Sequence, residues 1–255
     1  MFAHNQTYCN PPNQPIQTNW SIATNNGVTI VPTYSYNGFY APAKVGNSLA
    51  YFNSTSTTNA NYITYNNTIP IIWTNQWTIE FWMVTGTAFV SNSWTPLTVG
   101  IQDSYHYALT FNSNVVFDGG TGANNYVTTE LVDSGNTGFT FGGGSVATTK
   151  LSPPTFYYFT VVQENYESRK FYINGNLVAT ETGAIDLTPN TTSSFALKLN
   201  NAAGAWSGGL DQIRISNIAR YTSNFTPPTT AFTNDVNTWF LCSFDNGFTP
   251  APSPT

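Results

Sequence analysis

From Leu49 onward, apolar and polar residues alternate with a period of two, in short stretches bounded by Gly, Asn, Asp and Pro. That period puts every second side chain on one face of a pleated strand, whereas a helix repeats its apolar residues every three or four positions. In Trp77–Val84 the residues Trp77, Ile79, Phe81 and Met83 share one face, and Glu80 sits mid-strand on the other. The same pattern predicts strands at Pro96–Ile101, Ser104–Phe111, Val115–Asp118, Tyr126–Val132 and Thr137–Phe141, and then at Ser194–Leu199, Leu210–Ser216 and Thr238–Phe244. Phe156–Gln163 and Arg169–Asn174 flank the short polar loop Glu164–Ser168 and read as a hairpin. Asn174-Gly175, a dipeptide that tolerates positive φ, turns the chain into Leu177–Thr180. About a dozen short strands with no helical period predict an all-β fold, a two-sheet antiparallel sandwich or jelly roll.

Residues 1–45 break this pattern. They are rich in Pro, Asn and Gln, including Pro11-Pro12-Asn13-Gln14-Pro15, and read as an extended arm with a candidate strand at Gly27–Pro32. The expected organisation is an arm over 1–45, one jelly roll over 46–248 and a Pro-rich tail over 249–255. The 255 residues suit one large all-β domain with an arm.

Composition narrows the function classes. Charged residues make up 7% of the chain, against roughly 25% in an ordinary domain. Asn and Thr supply about a quarter of the residues and must wet the surface instead. Seven Lys and Arg with no basic run give no footprint for nucleic acid. No stretch reaches the ~18 apolar residues of a membrane span, so no membrane insertion is expected. With 16% aromatic residues and a net charge of −5 the chain is not disordered. Cys9 and Cys242 belong to no Cys-x-x-Cys pair and read by default as unpaired thiols, with a long-range disulfide as the alternative. Met1-Phe2-Ala3-His4-Asn5-Gln6 lacks the features of a secretory signal, although six Asn-x-Ser/Thr sequons and the lysine-poor surface suit an extracellular setting. A particle released by lysis reconciles the two, and the expected location is a virion surface or the extracellular space.

Several segments, in order, resemble the concanavalin A-like superfamily in its laminin-G-like jelly-roll branch. They are Gly46–Asn53 with Tyr62-Ile63, Trp77–Trp82, Phe156–Val162 with Lys170–Gly175, Gly209–Ile215 running into Ala219–Pro228, and Asn237–Asp245. The Arg220–Pro228 run looks like the version in tail fibres and surface proteins of phages and large DNA viruses. The resemblance implies two antiparallel sheets of six or seven strands, with one face or the rim loops binding glycans or proteins and, in some members, Ca²⁺ held at the rim.

Candidate chemistry is sparse. A retaining glycosidase needs two carboxylates ~5–5.5 Å apart, and no predicted strand carries acids two or four residues apart. Glu80 reads as a buried acid bonded to Arg214 or a backbone amide rather than a catalytic group. Asp211 and Arg214 fall on the family's Asp-x-x-Arg strand, and the resemblance implies a structural ion pair or backbone bond there. A Ser hydrolase has no Gly-x-Ser-x-Gly elbow here, and His4 and His106 are the available bases. Calcium remains an open cofactor, with Asp103 and Asp118 as the candidate ligands and Asp133 and Asp245 as further rim acids. For sugar recognition the loop and strand-end candidates are Trp94, Tyr105, His106, Tyr107, Asn124, Asn125 and Tyr126, residue types that protein contacts also use. The expectation is a non-enzymatic virion surface or structural protein, as capsid, fibre or tail component, which binds other virion subunits through its arm and a host glycan through the jelly roll. A soluble lectin without an assembly role is the alternative, and a glycoside hydrolase a more distant one.

Overall fold

The computed structural model describes residues 20–36, 39–54, 60–67, 76–89, 97–101, 109–112, 128–132, 138–141, 155–165, 167–182, 195–199 and 206–252. Among them every regular element is a strand. A seven-stranded sheet runs in the order β1 (Trp20–Asn26), β6 (Tyr62–Asn67), β15 (Phe195–Leu199), β8 (Leu97–Ile101), β9 (Leu109–Asn112), β10 (Thr128–Val132), β11 (Gly138–Phe141). An eight-stranded sheet runs β14 (Asn176–Thr182), β13 (Ser168–Ile173), β12 (Phe156–Asn165), β7 (Trp77–Phe89), β16 (Trp206–Ser216), β5 (Leu49–Asn53), β2 (Thr29–Val31), and β17 (Thr238–Cys242) pairs with β16 off this path. β3 (Thr33–Tyr36) and β4 (Phe39–Pro42) form a separate hairpin. The pairings are antiparallel, and the architecture is a jelly-roll sandwich with more strands than the expected dozen.

The period-two pattern explains the core. Trp77, Ile79, Phe81 and Met83 of β7, Phe159 and Val161 of β12, and Ile213 and Ile215 of β16 line the inner face of the larger sheet. They meet Ile63, Tyr65, Leu197 and Leu199 from the smaller one. Phe81 stacks on Phe159 with centroids 5.6 Å apart, and Phe159 on Phe171 at 6.3 Å. Each such buried side chain contributes ~1.5–3 kcal/mol of burial free energy. Asn174 and Gly175 both have positive φ, 51° and 76°, the two-residue hairpin geometry that this dipeptide favours.

The larger sheet is also buried on its outer face. Tyr34 and Ala41 of the β3–β4 hairpin pack on Leu49 and Val84. Beside them, Phe225 and Phe232 from the irregular segment 217–237 cover Trp82 and Tyr158. Two-sided burial explains why almost the whole of β12 is inaccessible.

Residues 20–42 correct the expected arm. They carry four strands rather than one: β1 extends the smaller sheet beside β6, and β2 extends the larger sheet beside β5. β1 escapes the sequence pattern because it is an edge strand with a register shift between Ile22 and Thr24 and with Ser21–Asn26 all exposed. It is anchored at Trp20, whose Nε1 donates to the Trp239 carbonyl at 2.9 Å and whose ring meets Phe240 edge-on at 5.1 Å. Residues 1–19 and 253–255 lie outside the described residues.

Candidate functional site

Three features are candidate sites: the buried Glu80 cluster, the acids near the loop 44–48, and the outer face of the smaller sheet. Glu80 lies on β7 opposite Arg214 of β16 and Thr160 of β12, on the covered outer face of the larger sheet. Its Oε1 accepts from Arg214 Nε at 2.7 Å and lies 2.6 Å from Nη2. Its Oε2 accepts from the hydroxyls of Tyr158 and Tyr221, the latter at 2.9 Å. Burial, and then the charge of Glu80, raise both tyrosine pKa values, that of Tyr221 to about 12, so both remain donors. The Arg214 guanidinium lies 4.7 Å from the centre of the Phe232 ring and donates from Nη1 to the Thr233 carbonyl. Arg220 makes a two-toothed pair with Asp235 at 2.8 and 2.9 Å, which draws the Asp235 pKa down to about 2. Both Glu80 oxygens are occupied and the side chain has no exposure, so the cluster fastens the segment 217–237 to the sheet and has no opening for a substrate.

Asp211 is not paired with Arg214. Its Oδ2 accepts from the Val45 backbone N–H at 2.7 Å, which ties the loop before β5 to β16. The register shifts between Asp211 and Ile213, and Gln212 sits there at φ 48°, its Oε1 accepting from the Phe232 amide at 2.8 Å. Burial raises the Asp211 pKa to about 7, against its bonds to Val45 and Lys44, and the charge of Asp245 adds to the rise. Asp245 Oδ1 accepts from the amides of Asn47 and Ser48 at 2.6 and 3.0 Å, so it too fastens the loop 44–48. Among the described residues no group of three or more His, Cys, Asp or Glu could hold a metal. Cys242 is a free, buried thiol within 3.9 Å of the Tyr65 hydroxyl; Cys9 lies outside the described residues.

The sugar-binding candidates Trp94, Tyr105, His106, Tyr107, Asn124, Asn125 and Tyr126, and the metal candidates Asp103 and Asp118 with Asp133, also lie outside them.

The strands themselves carry a feature absent from the sequence-based expectations. Following the register from one strand to the next, Thr24 pairs with Thr64, Thr64 with Lys198, Lys198 with Thr98, Thr98 with Thr110, Thr110 with Glu130 and Glu130 with Thr140. One row therefore crosses all seven strands as Thr-Thr-Lys-Thr-Thr-Glu-Thr. On β6 the row's Thr64 lies between the core residues Ile63 and Tyr65 and is itself buried. On the same face of β6 Asn66 pairs with Ser21, and both are exposed. Each central Thr is flanked by apolar residues, as in Ile63-Thr64-Tyr65, Leu97-Thr98-Val99, Leu109-Thr110-Phe111 and Phe139-Thr140-Phe141. That local signal is readable in the sequence, but the register that aligns the triplets is not.

Comparison with known proteins places these features in context. Residues 56–224 match the concanavalin A-like lectin/glucanases superfamily. Comparison with curated proteins finds no match. Among solved structures, the binding domain of Paraclostridial Mosquitocidal Protein 1 is similar over 80% of this chain and 45% of its own, at 14% identity and a TM-score of 0.50. The receptor binding domain of botulinum neurotoxin D is similar over 81% of this chain and 46% of its own, at 14% identity and a TM-score of 0.51. The chain thus spans under half the length of these relatives, and at such identity the likeness is one of fold.

Proposed function

The chain belongs to the concanavalin A-like lectin/glucanases superfamily, and from that premise we propose that it is a non-enzymatic glycan-binding domain whose ligand lies on the outer face of the seven-stranded sheet. The observation that carries this reading is the asymmetry of the two sheets. The outer face of the larger sheet is closed by the β3–β4 hairpin and the segment 217–237. In the smaller sheet the strand register aligns five threonines, one lysine and one glutamate in a single row. Threonine hydroxyls both donate and accept, as sugar hydroxyls do. In this reading, threonines on neighbouring paired strands ~4.8 Å apart supply the hydroxyls that meet the sugar. The proposal keeps the virion surface as the setting and other virion subunits as partners, supported by the charge-poor composition and by the likeness of the Arg220–Pro228 run to viral surface proteins.

The test is a glycan array with folded, full-length protein, run with calcium and again with EDTA. Selective, saturable binding is expected. Loss in EDTA would show that a divalent cation takes part in binding, with Asp103 and Asp118 as the first residues to substitute, and silence across the array would overturn the proposal.

A further inference from the structure

Four Asn-Gly dipeptides punctuate the chain: Asn26-Gly27, Asn37-Gly38, Asn174-Gly175 and Asn246-Gly247. Each sets a side-chain amide beside a backbone nitrogen whose residue has no Cβ to shield it, so that nitrogen can attack the amide carbon. Asn37 and Gly38 lie outside the described residues. The other three are exposed asparagines followed by a glycine of positive φ, at 74°, 76° and 84°. They differ in how they are held. Asn26 donates from Nδ2 to the Ala60 carbonyl at 2.7 Å, and its own carbonyl accepts from Asn61 Nδ2 at 3.2 Å. Asn174 accepts through Oδ1 from the Tyr158 amide at 2.9 Å and donates its own N–H to the Tyr158 carbonyl at 2.8 Å. The glycines after them are crowded, since a Cβ on Gly27 would run into Asn61 and one on Gly175 into the Phe225 carbonyl. Asn246 differs on each count. Among the described residues its side chain has no hydrogen-bond partner, and nothing lies within 4 Å of where a Cβ on Gly247 would stand. The Gly247 N–H reaches the Phe244 carbonyl at 3.3 Å, longer than the usual ~2.7–3.2 Å.

We infer that Asn246 is a site of spontaneous deamidation. The Gly247 nitrogen bonds to Cγ of Asn246, the Cγ–Nδ2 bond breaks, and ammonia leaves with the proton that the nitrogen gives up, which closes a five-membered imide. Water then opens the ring at either carbonyl. One opening gives aspartate at position 246, and the other gives isoaspartate, in which the main chain runs through the former side-chain carbon. Either product adds a negative charge next to Asp245, whose carboxylate holds the amides of Asn47 and Ser48. Isoaspartate also lengthens the turn that the Gly247–Phe244 bond closes. At Asn26 and Asn174 the same attack must first break the hydrogen bonds that fix the asparagine, so the fold protects them.

The test incubates full-length wild type and Asn246→Gln at neutral pH, folded and in denaturant. Peptides spanning Asn26, Asn174 and Asn246 are followed by mass spectrometry for the one-dalton gain, and isoaspartate is identified by enzymatic methylation. In folded wild type, Asn246 should convert several times faster than Asn26 or Asn174, and denaturant should bring the three rates together. Asn246→Gln should keep its mass at that peptide, because glutamine would have to close a six-membered ring. The wild-type comparison decides by itself if the variant does not fold. Conversion of Asn246 no faster than that of Asn26 or Asn174 in the folded protein would overturn the inference. So would an Asn246 that stays intact in the folded protein while it converts in denaturant.

Discussion

An arginine and two tyrosine hydroxyls converge on the carboxylate of Glu80, which has no exposure. Glu80→Gln keeps the shape but leaves the Arg214 cation without its counter-charge, and breaking a buried pair costs about 3–5 kcal/mol. Denaturant unfolding should show a loss of that size, and a change below ~0.5 kcal/mol would mean that the cluster does not hold the fold. Asp211 offers a second check through pH. Its pKa, raised by burial to about 7, means that the folded state holds this proton more tightly than the unfolded chain. The associated stability is complete below the ordinary Asp range near pH 4 and is lost as pH rises through 7. Asp235, drawn down to about 2, acts below that window. Glu181, also raised by burial, slopes the same way as Asp211 and is common to wild type and variant. Melting temperature measured from about pH 4 to 8 should therefore fall more steeply in wild type than in Asp211→Asn, and equal slopes would contradict the assignment.

At the scale of elements, legibility follows burial. β7 alternates and β12 is an almost continuous apolar run, and these two patterns locate them. The Asn174-Gly175 turn is legible too, because positive φ at two successive residues restricts the chemistry. β1 is not, because an edge strand with six exposed residues has no apolar face to reveal it. The shift at Asp211–Gln212 is also hidden, since a bulge inserts one residue without changing composition. The Glu80–Arg214 pair is among the sequence-based expectations, whereas the threonine row depends on which strands lie side by side, and that is set by long-range pairing. The strands within residues 20–42 have a direct consequence. Deleting residues 1–19 removes no described strand and should leave the melting temperature within a few degrees of full length. Deleting 1–45 removes β1–β4 and uncovers Val84 and Leu49, so it should abolish cooperative unfolding in thermal circular dichroism. If the longer deletion melted like wild type, β1–β4 would be an appendage and not part of the sandwich. Any role of the N-terminus as an assembly tether is therefore best tested with the 1–19 deletion.

The molecule as a whole is built asymmetrically. One sheet is buried on both faces: apolar contacts hold the hairpin β3–β4, and polar side chains hold the loop 44–48 and the segment 217–237. The other sheet aligns five threonines, a lysine and a glutamate in one register row, and in the proposed reading it is the binding side. The central claim is that glycan binds on that second side. It is tested most directly by titrating the best array ligand against full-length protein and the double variant Thr98→Val/Thr110→Val, with thermal melts as the fold control. Two lost hydrogen bonds of about 1 kcal/mol each predict affinity at least about tenfold weaker at an unchanged melting temperature. An unchanged affinity in a folded double variant would contradict the account and move the site to the connecting loops.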